Sequence, residues 1–416
     1  MKESPAKRPS LGRRFHFLWA SAGLSNLADG VLLVGVPLLA VSLTRSPLLV
    51  SLVSAAATLP WLLLALPAGA IADRHDRRAI MVWAAWARTV TLAGAAVAAW
   101  LDLLSLPLLV AAVLLAGAGE VFADTSAQSV LPMTVGRDRL AAANGRLTAA
   151  QTLGNHFLGA PLAGLLAGLA ASLVFGTVAV LYALSAVLLL GMRGRFKVEQ
   201  ATRGGLGGDI RDGLRHLGRH AALRGLAVFT GVSNLSNGAY FAVFVLWVVG
   251  AQSRVGLTPE TYGLLATTLA VGAVLGSVLA APLAALLGET RMLGTVTLAN
   301  AALLLVPMLA PVPWAVFAAA AGLGAANSIT NVIAVSLRQR LIPEELLGRV
   351  NAACRLIGTG AMPVGAALAG TLGVAAGIEA VFWGAAVLCV VAAAIVFHQV
   401  RVVAEPSEPQ PANAGP

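Results

Sequence analysis

Five ionisable residues stand inside otherwise apolar stretches of this chain: Asp29, Arg88, Glu120, Asp124 and Arg355. Such residues are expensive in hydrocarbon, about 2.5–3.5 kcal/mol each on insertion scales, so they face a cavity or a partner. Glu120 and Asp124 are four residues apart, one helical turn, and share a face. Two neighbouring acids away from water raise each other's proton affinity. A carboxylate that gains and loses a proton near neutral pH is what proton-coupled transport requires. Asp29 and Glu120 are the candidates for a proton or cation-substrate site, and Asp124 for a structural role. The plainer reading of each acid is a hydrogen bond that packs helices. Arg88 is either the counter-ion of Glu120 or Asp124 or a snorkelling surface cation, and Arg355 is read as snorkelling. His156 is either a packed histidine or a titrating one.

The segments that carry these residues are long. Twelve apolar runs lie near 16–42, 48–72, 79–101, 105–129, 143–168, 172–192, 224–250, 260–286, 292–311, 314–337, 349–373 and 379–400. Each is close to the roughly 20 residues a helix needs to cross a bilayer. The chain of 416 residues is 58% hydrophobic and 11% charged, against about 25% charged in an average soluble domain. These values exclude a soluble multi-domain enzyme and predict an all-α membrane protein. The net charge of +10 does not point to nucleic acid, because the basic residues sit in short loops without a continuous basic face. On one side fall the N-terminal tail, the 73–78 loop, Arg137, Arg139, Arg146, the 193–222 segment, Arg291, Arg338, Arg340, Arg349 and Arg401. The other side has only Arg45 and Arg254. That bias predicts both termini in the cytoplasm.

The expected organisation is a basic cytoplasmic tail (1–15), a six-helix bundle (16–192), a cytoplasmic linker (193–223), a second six-helix bundle (224–400) and a disordered tail (401–416). In the linker, Ile210, Leu214, Leu217 and Ala221 recur at helical spacing behind a candidate N-cap, Asp209. They predict a short amphipathic helix, either on the membrane surface or as a solvated linker. The halves also repeat. Arg139-Leu140 leading to Ala143-Asn144 and Pro161 has a counterpart in Leu346-Leu347 leading to Val350-Asn351 and Pro363. A parallel six-span repeat implies two related bundles.

Enzyme signals are missing. Lysine occurs only at 2, 7 and 197, so no phosphate-binding GxxxxGK[ST] loop exists, and there is no HExxH. Cys354 and Cys389 lie in apolar runs and suggest neither a disulfide nor a metal site. No cofactor is expected.

Between spans two and three the chain reads Gly69-Ala70-Ile71-Ala72-Asp73-Arg74-His75-Asp76-Arg77-Arg78. On this loop, in a twelve-span chain of two halves, the protein resembles the major facilitator superfamily over nearly its whole length. Asp29, Leu66-Pro67-Ala68-Gly69, Gly119-Glu120 through Asp124 to Leu131-Pro132, and Leu346-Leu347-Gly348-Arg349-Val350-Asn351 are similar to the drug and siderophore exporter branch, including macrolide-efflux and enterobactin-exporter groups. Two features depart from the pattern. The equivalent loop near 281–289 lacks the Asp-Arg pair, and Gly159-Ala160-Pro161-Leu162-Ala163-Gly164 fits the antiporter motif only in part.

The resemblance implies alternating access, with spans one, four, seven and ten lining a cavity. Their polar residues are Ser25, Asn26 and Asp29; Glu120 and Asp124; Ser233, Asn234, Asn237 and Tyr240; and Asn327, Ser328 and Asn331. Phe241, Phe244 and Trp247 would add an apolar wall, and Asn155 and His156 would reach it from span five. The loop motif implies a cytoplasmic gate. Gly69 permits close approach, Asp73 sits by the start of span eleven, and Arg74, Arg77 and Arg78 contribute charge, with Asp124 as partner. The expected activity is proton-driven efflux of a hydrophobic or amphipathic small molecule from a monomer in the plasma membrane. The alternatives are an importer or uniporter of the same fold, or a transport-inactive sensor or scaffold.

Overall fold

In lipid no water satisfies the backbone, so each apolar run closes its own hydrogen bonds as helix. A computed structural model describes residues 11–194, 196–197, 215–342 and 347–400. Its helices are α1 (Arg13–Leu43), α2 (Pro47–Arg74), α3 (Arg77–Trp100), α4 (Leu106–Thr134), α5 (Leu140–Thr152), α6 (Ala160–Leu169), α7 (Ala171–Leu190), α8 (Ala221–Val248), α9 (Pro259–Leu287), α10 (Glu289–Leu309), α11 (Pro313–Leu341), α12 (Leu347–Ala376) and α13 (Ile378–Ile395). Several open on proline in the first turn, α2, α4 and α11 among them, where its missing N–H is not needed. Among the described residues, eleven helices are long and apolar enough to cross a membrane.

The fifth span is the exception. The expected single helix over 143–168 is instead α5, a wider π-helical turn (Leu153–Gly159) and α6. Pro161 explains the break: it cannot donate to the carbonyl four residues earlier, and its ring clashes with that carbonyl. The backbone widens by one residue per turn to pass it. Three glycines let the wide turn press on α1. A Cβ on Gly30 would meet the backbone of Asn155, one on Gly154 the backbone of Asn26 and Leu27, and one on Gly159 the backbone of Gly30.

The chain divides into two units, one of Met1–Arg203 with Val248–Thr267, the other of Gly204–Trp247 with Thr268–Pro416. In the first, α1 lies against α7, the π turn and α6, while α3 packs on α4 and α7 and α2 on α4. Ser21 and Ser185, both buried, fasten α1 to α7 through a 2.7 Å hydroxyl bond. The Val248–Thr267 stretch is held by Arg45, which donates to the Val249 carbonyl at 2.8 Å. It is also held by Thr267, whose hydroxyl donates to the His156 carbonyl at 3.1 Å.

In the second unit α10 packs on α11 and α13, around Leu226, Phe229, Leu293, Ile329 and Ala392. Outward faces of both units carry bare apolar side chains such as Trp83, Trp100, Leu115, Leu286 and Trp314. A soluble protein of this size rarely leaves so many exposed, and a lipid-facing surface accounts for them.

The expected linker helix falls mostly outside the described residues: Asp209, Ile210, Arg211 and Leu214 are not among them. Residues 215–219 are helical, and Leu217 is buried with Leu223, Ala227, Ile342, Val350 and Cys354. The tails at 1–10 and 401–416, and the side chains of Arg137, Arg349 and Asn351, also lie outside the described residues.

Candidate functional site

Three of the intramembrane charges converge in the first unit. Arg88 projects from α3, and its guanidinium makes an ion pair with Asp29 of α1 and reaches Glu120 of α4 at 3.8 Å. Its stem fits because residue 119 is glycine; a Cβ there would meet Arg88 Cγ and Cδ. Arg88 is 2% exposed, so it does not snorkel. Its planar cation also lies 3.9 Å from the centroid of the Tyr182 ring, a close cation–π stack.

Asp29 Oδ1 accepts two donors, Arg88 Nη2 and the Tyr182 hydroxyl, the latter at 2.6 Å. Tyr182 comes from α7 and is fully buried. Glu120 is held more loosely. Its Oε1 accepts from Trp61 Nε1 at 3.4 Å, and its side chain is 32% exposed, against 16% for Asp29. Thus one acid is locked by two strong partners and the other is more exposed and loosely held. The two carboxylates and one guanidinium leave one negative charge in excess when all are ionised. Asp124 follows one turn along α4, partly buried.

Sequence reasoning selected Asp29, Arg88 and Glu120 but paired Arg88 with the acids of α4 alone. The tighter partner is Asp29. Tyr182 and Trp61 were missed. Tyr182 leaves a faint trace, since Tyr182 and Ser185 stand one turn apart on a span without charge.

Other expected site residues are more dispersed. Ser25 and Asn26 are partly buried on α1, and Asn26 spends its amide on the Ala22 carbonyl at 2.7 Å. Asn155 Oδ1, Ser233 Oγ and Asn237 Oδ1 are buried and have no hydrogen-bond partner among the described residues. Asn234 and Asn327 are partly buried, and Asn331 is exposed. His156 is partly buried on the π turn.

Tyr240 corrects the expectation of a cavity wall. It is fully buried and stacks on Phe244 and Phe382 at centroid distances of 5.0 Å, so it belongs to the interior of the second unit. Trp247 is likewise interior, donating to the Pro307 carbonyl at 2.8 Å.

The charged loop laces the first unit to itself. Asp76 caps α3 by accepting from the Ala79 N–H at 3.2 Å and also accepts from the Phe196 N–H at 3.2 Å. Buried Arg77 pairs with Asp73 at 3.1 Å, a partner in its own loop. Arg78 donates to the Leu189 and Leu190 carbonyls at 2.8 and 2.7 Å, placing a cation at the negative end of α7. Arg74 is exposed. The expectation that Gly69 serves close approach is not met, since no atom lies within 4 Å of where its Cβ would stand.

With this geometry in place, the relatives are informative. Residues 8–414 match the family described as transmembrane secretion effector. The chain belongs to that family, within the major facilitator superfamily. This family member is 26% identical over 377 residues to the uncharacterised MFS-type transporter y4rN of Sinorhizobium fredii (strain NBRC 101917 / NGR234), covering 90% of this chain and 92% of y4rN.

Among solved structures it is similar to a bacterial homologue of the iron transporter ferroportin, with a TM-score of 0.75, 16% identity and 94% and 99% of the two chains covered. The nucleoside transporter NupG gives a TM-score of 0.75 at 12% identity, covering 94% and 100%. A bacterial homologue of the lysosomal transporter Spinster gives 0.73 at 16% identity, covering 93% and 96%. The protein is a multi-pass membrane protein of two six-span bundles and a secondary transporter, a fold without enzymatic chemistry.

Proposed function

We propose that this chain exports a hydrophobic or amphipathic small molecule in exchange for protons, as the drug and siderophore exporters it resembles do. Both termini would lie in the cytoplasm, on the side that carries nearly all the loop arginines. The observation that carries the reading is the excess acid in the Asp29–Arg88–Glu120 cluster. A single negative charge left over in a low-dielectric interior is stabilised by one proton or one cation. Glu120 is the better proton site, because it is the more exposed acid and lies 3.8 Å from Arg88, whereas Asp29 is bound by Arg88 and Tyr182. A proton on Glu120 makes the cluster neutral; a cationic substrate does the same. The two therefore compete, which is the basis of exchange.

Exposed Arg74, with Asp73 that pairs with Arg77, would form a cytoplasmic latch with Asp124 as partner, while Asp76, Arg77 and Arg78 anchor the loop. The test is efflux of ethidium from proteoliposomes containing the purified protein, with and without an imposed proton gradient. Efflux should rise with the gradient and fall to the leak rate in Glu120→Gln. Protein-dependent efflux at one rate under both conditions would sink proton exchange.

A further inference from the structure

We propose that Tyr182 is a positioning residue that keeps Asp29 in its ionised, Arg88-bound form, so that the cluster's exchangeable proton goes to Glu120. This deepens the proton-exchange reading and rests on it.

The argument begins with hydrogen-bond valence. Asp29 Oδ1 accepts from Arg88 Nη2 and from the Tyr182 hydroxyl at once. Both bonds are charge-assisted, and protonating Asp29 would weaken both together. The phenol donates to Asp29, and the Arg88 guanidinium lies over a face of its buried ring.

The ring and the hydroxyl thus act on different partners: the ring fixes where Arg88 lies, and the hydroxyl fixes the charge of Asp29. Glu120 has no equivalent. Its partners are an indole N–H at 3.4 Å and Arg88 at 3.8 Å, both long. The titratable groups on the elements around Asp29 are Asp73 and Arg74 at the end of α2, Arg77, Arg78 and Arg88 on α3, Glu120 and Asp124 on α4, Arg146 on α5, His156 on the π turn and Tyr182 on α7, while α6 supplies none; of these, Arg88 and Tyr182 bond Asp29 directly.

The reading predicts that removal of one oxygen atom redistributes a proton. In Tyr182→Phe the ring still supports Arg88, but Asp29 now competes with Glu120. The measurement is pH-difference infrared spectroscopy on the purified full-length protein in detergent, read in the protonated-carboxyl region. In the unmodified protein, Glu120→Gln should remove the main intramembrane carboxyl band and Asp29→Asn should leave it. If instead Asp29→Asn removes it, the Glu120 assignment fails whatever Tyr182 does.

Given that assignment, Y182F should add a second band that Y182F/D29N removes. The pH at half-protonation of the Glu120 band should also move by at least about 0.5 unit, a roughly threefold change in proton affinity. A Y182F spectrum and titration identical to the unmodified protein would overturn the proposal. Should Y182F fail to fold, 3,5-difluorotyrosine at position 182 preserves the shape and strengthens the donor. It should shift the Asp29 carboxylate stretch, and an unshifted stretch would overturn the proposal equally.

Discussion

The charged cluster of the first unit has a neutral double in the second. Asp29 and Asn237 are each the seventeenth residue of α1 and α8, and Arg88 and Asn300 each the twelfth of α3 and α10. Glu120 and Asn327 are each the fifteenth of α4 and α11, and Tyr182 and Cys389 each the twelfth of α7 and α13. The contacts echo one another as well. Arg88 stacks on Tyr182, and Asn300 Nδ2 donates to Cys389 Sγ at 3.6 Å. Since one unit folds with amides and a thiol at these positions, the six-span bundle does not need charge there. The charges of the first unit are therefore not demanded by the repeated frame, which supports the functional reading proposed for them.

The comparison breaks first at the acids. Glu120→Gln, which makes the first unit resemble the second, should reduce gradient-driven transport by at least about tenfold, as removal of a proton-transfer group does. Asn327→Ala at the matching site should change it less than about threefold, in keeping with loss of one neutral hydrogen-bonding group. Equal losses in the two variants, measured side by side in proteoliposomes, would erase the functional difference between the units.

The second break concerns stability. Arg88→Met strips Asp29 of its buried counter-ion and should cost about 3–5 kcal/mol, the usual penalty for orphaning one member of a buried pair. Arg88→Met with Asp29→Asn removes the tighter ion pair, leaves Glu120 as the remaining acid and should recover most of that loss. Asn300→Ala, whose Oδ1 already has no hydrogen-bond partner among the described residues, should cost about 1 kcal/mol or less. Thermal unfolding in detergent, followed by intrinsic fluorescence, ranks the three. If the double variant is no more stable than Arg88→Met alone, the charges are not the orphaned pair described.

Much of this architecture is legible before folding. Span edges follow from apolar length because lipid leaves the backbone no alternative to helix, and the intramembrane acids stand out for the same reason. Pairing is not legible. Asp29 and Arg88 lie on helices whose contact depends on the packing of three others, and no sequence spacing encodes it. Tyr182 is hidden because one aromatic in an apolar span reads as packing until its hydroxyl is seen on Asp29.

The π turn was hidden in a different way. Gly154, Gly159 and Pro161 signal close packing and a kink, but a widened turn and a sharp bend share that signature. The charged loop misled in the opposite direction. Its charges suggested acidic partners on neighbouring spans, whereas Arg77 pairs with Asp73 of the same loop, Arg78 bonds carbonyls of α7 and Asp76 accepts from the Ala79 and Phe196 N–H groups.

Where the frame itself is tested, the two units should respond alike. Gly30 and Gly238 are each the eighteenth residue of their helices, and a Cβ on either would run into backbone, of Asn155 in one unit and Met362 in the other. Alanine at either position should destabilise by about 1–3 kcal/mol, the range for overpacking a tight contact. Similar losses of thermal stability in the two variants would support a common frame. A large loss at Gly30 with none at Gly238 would mean that the π turn, present at Asn155, is what demands glycine.

The smallest expected effect lies in the hydroxyl fastenings. Ser21 bonds Ser185 across α1 and α7, and Ser236 bonds the Ala385 carbonyl at 2.8 Å across α8 and α13. Each is a buried interhelical bond of the kind that contributes about 0.6 kcal/mol in a membrane bundle. Ser21→Ala and Ser236→Ala should each lower stability by about that much and leave transport at its original rate. If Ser21→Ala instead slows transport while Ser236→Ala does not, the α1–α7 seam moves during the cycle. The asymmetry between the units would then extend from their charges to the mechanics of the helices that carry Asp29 and Tyr182.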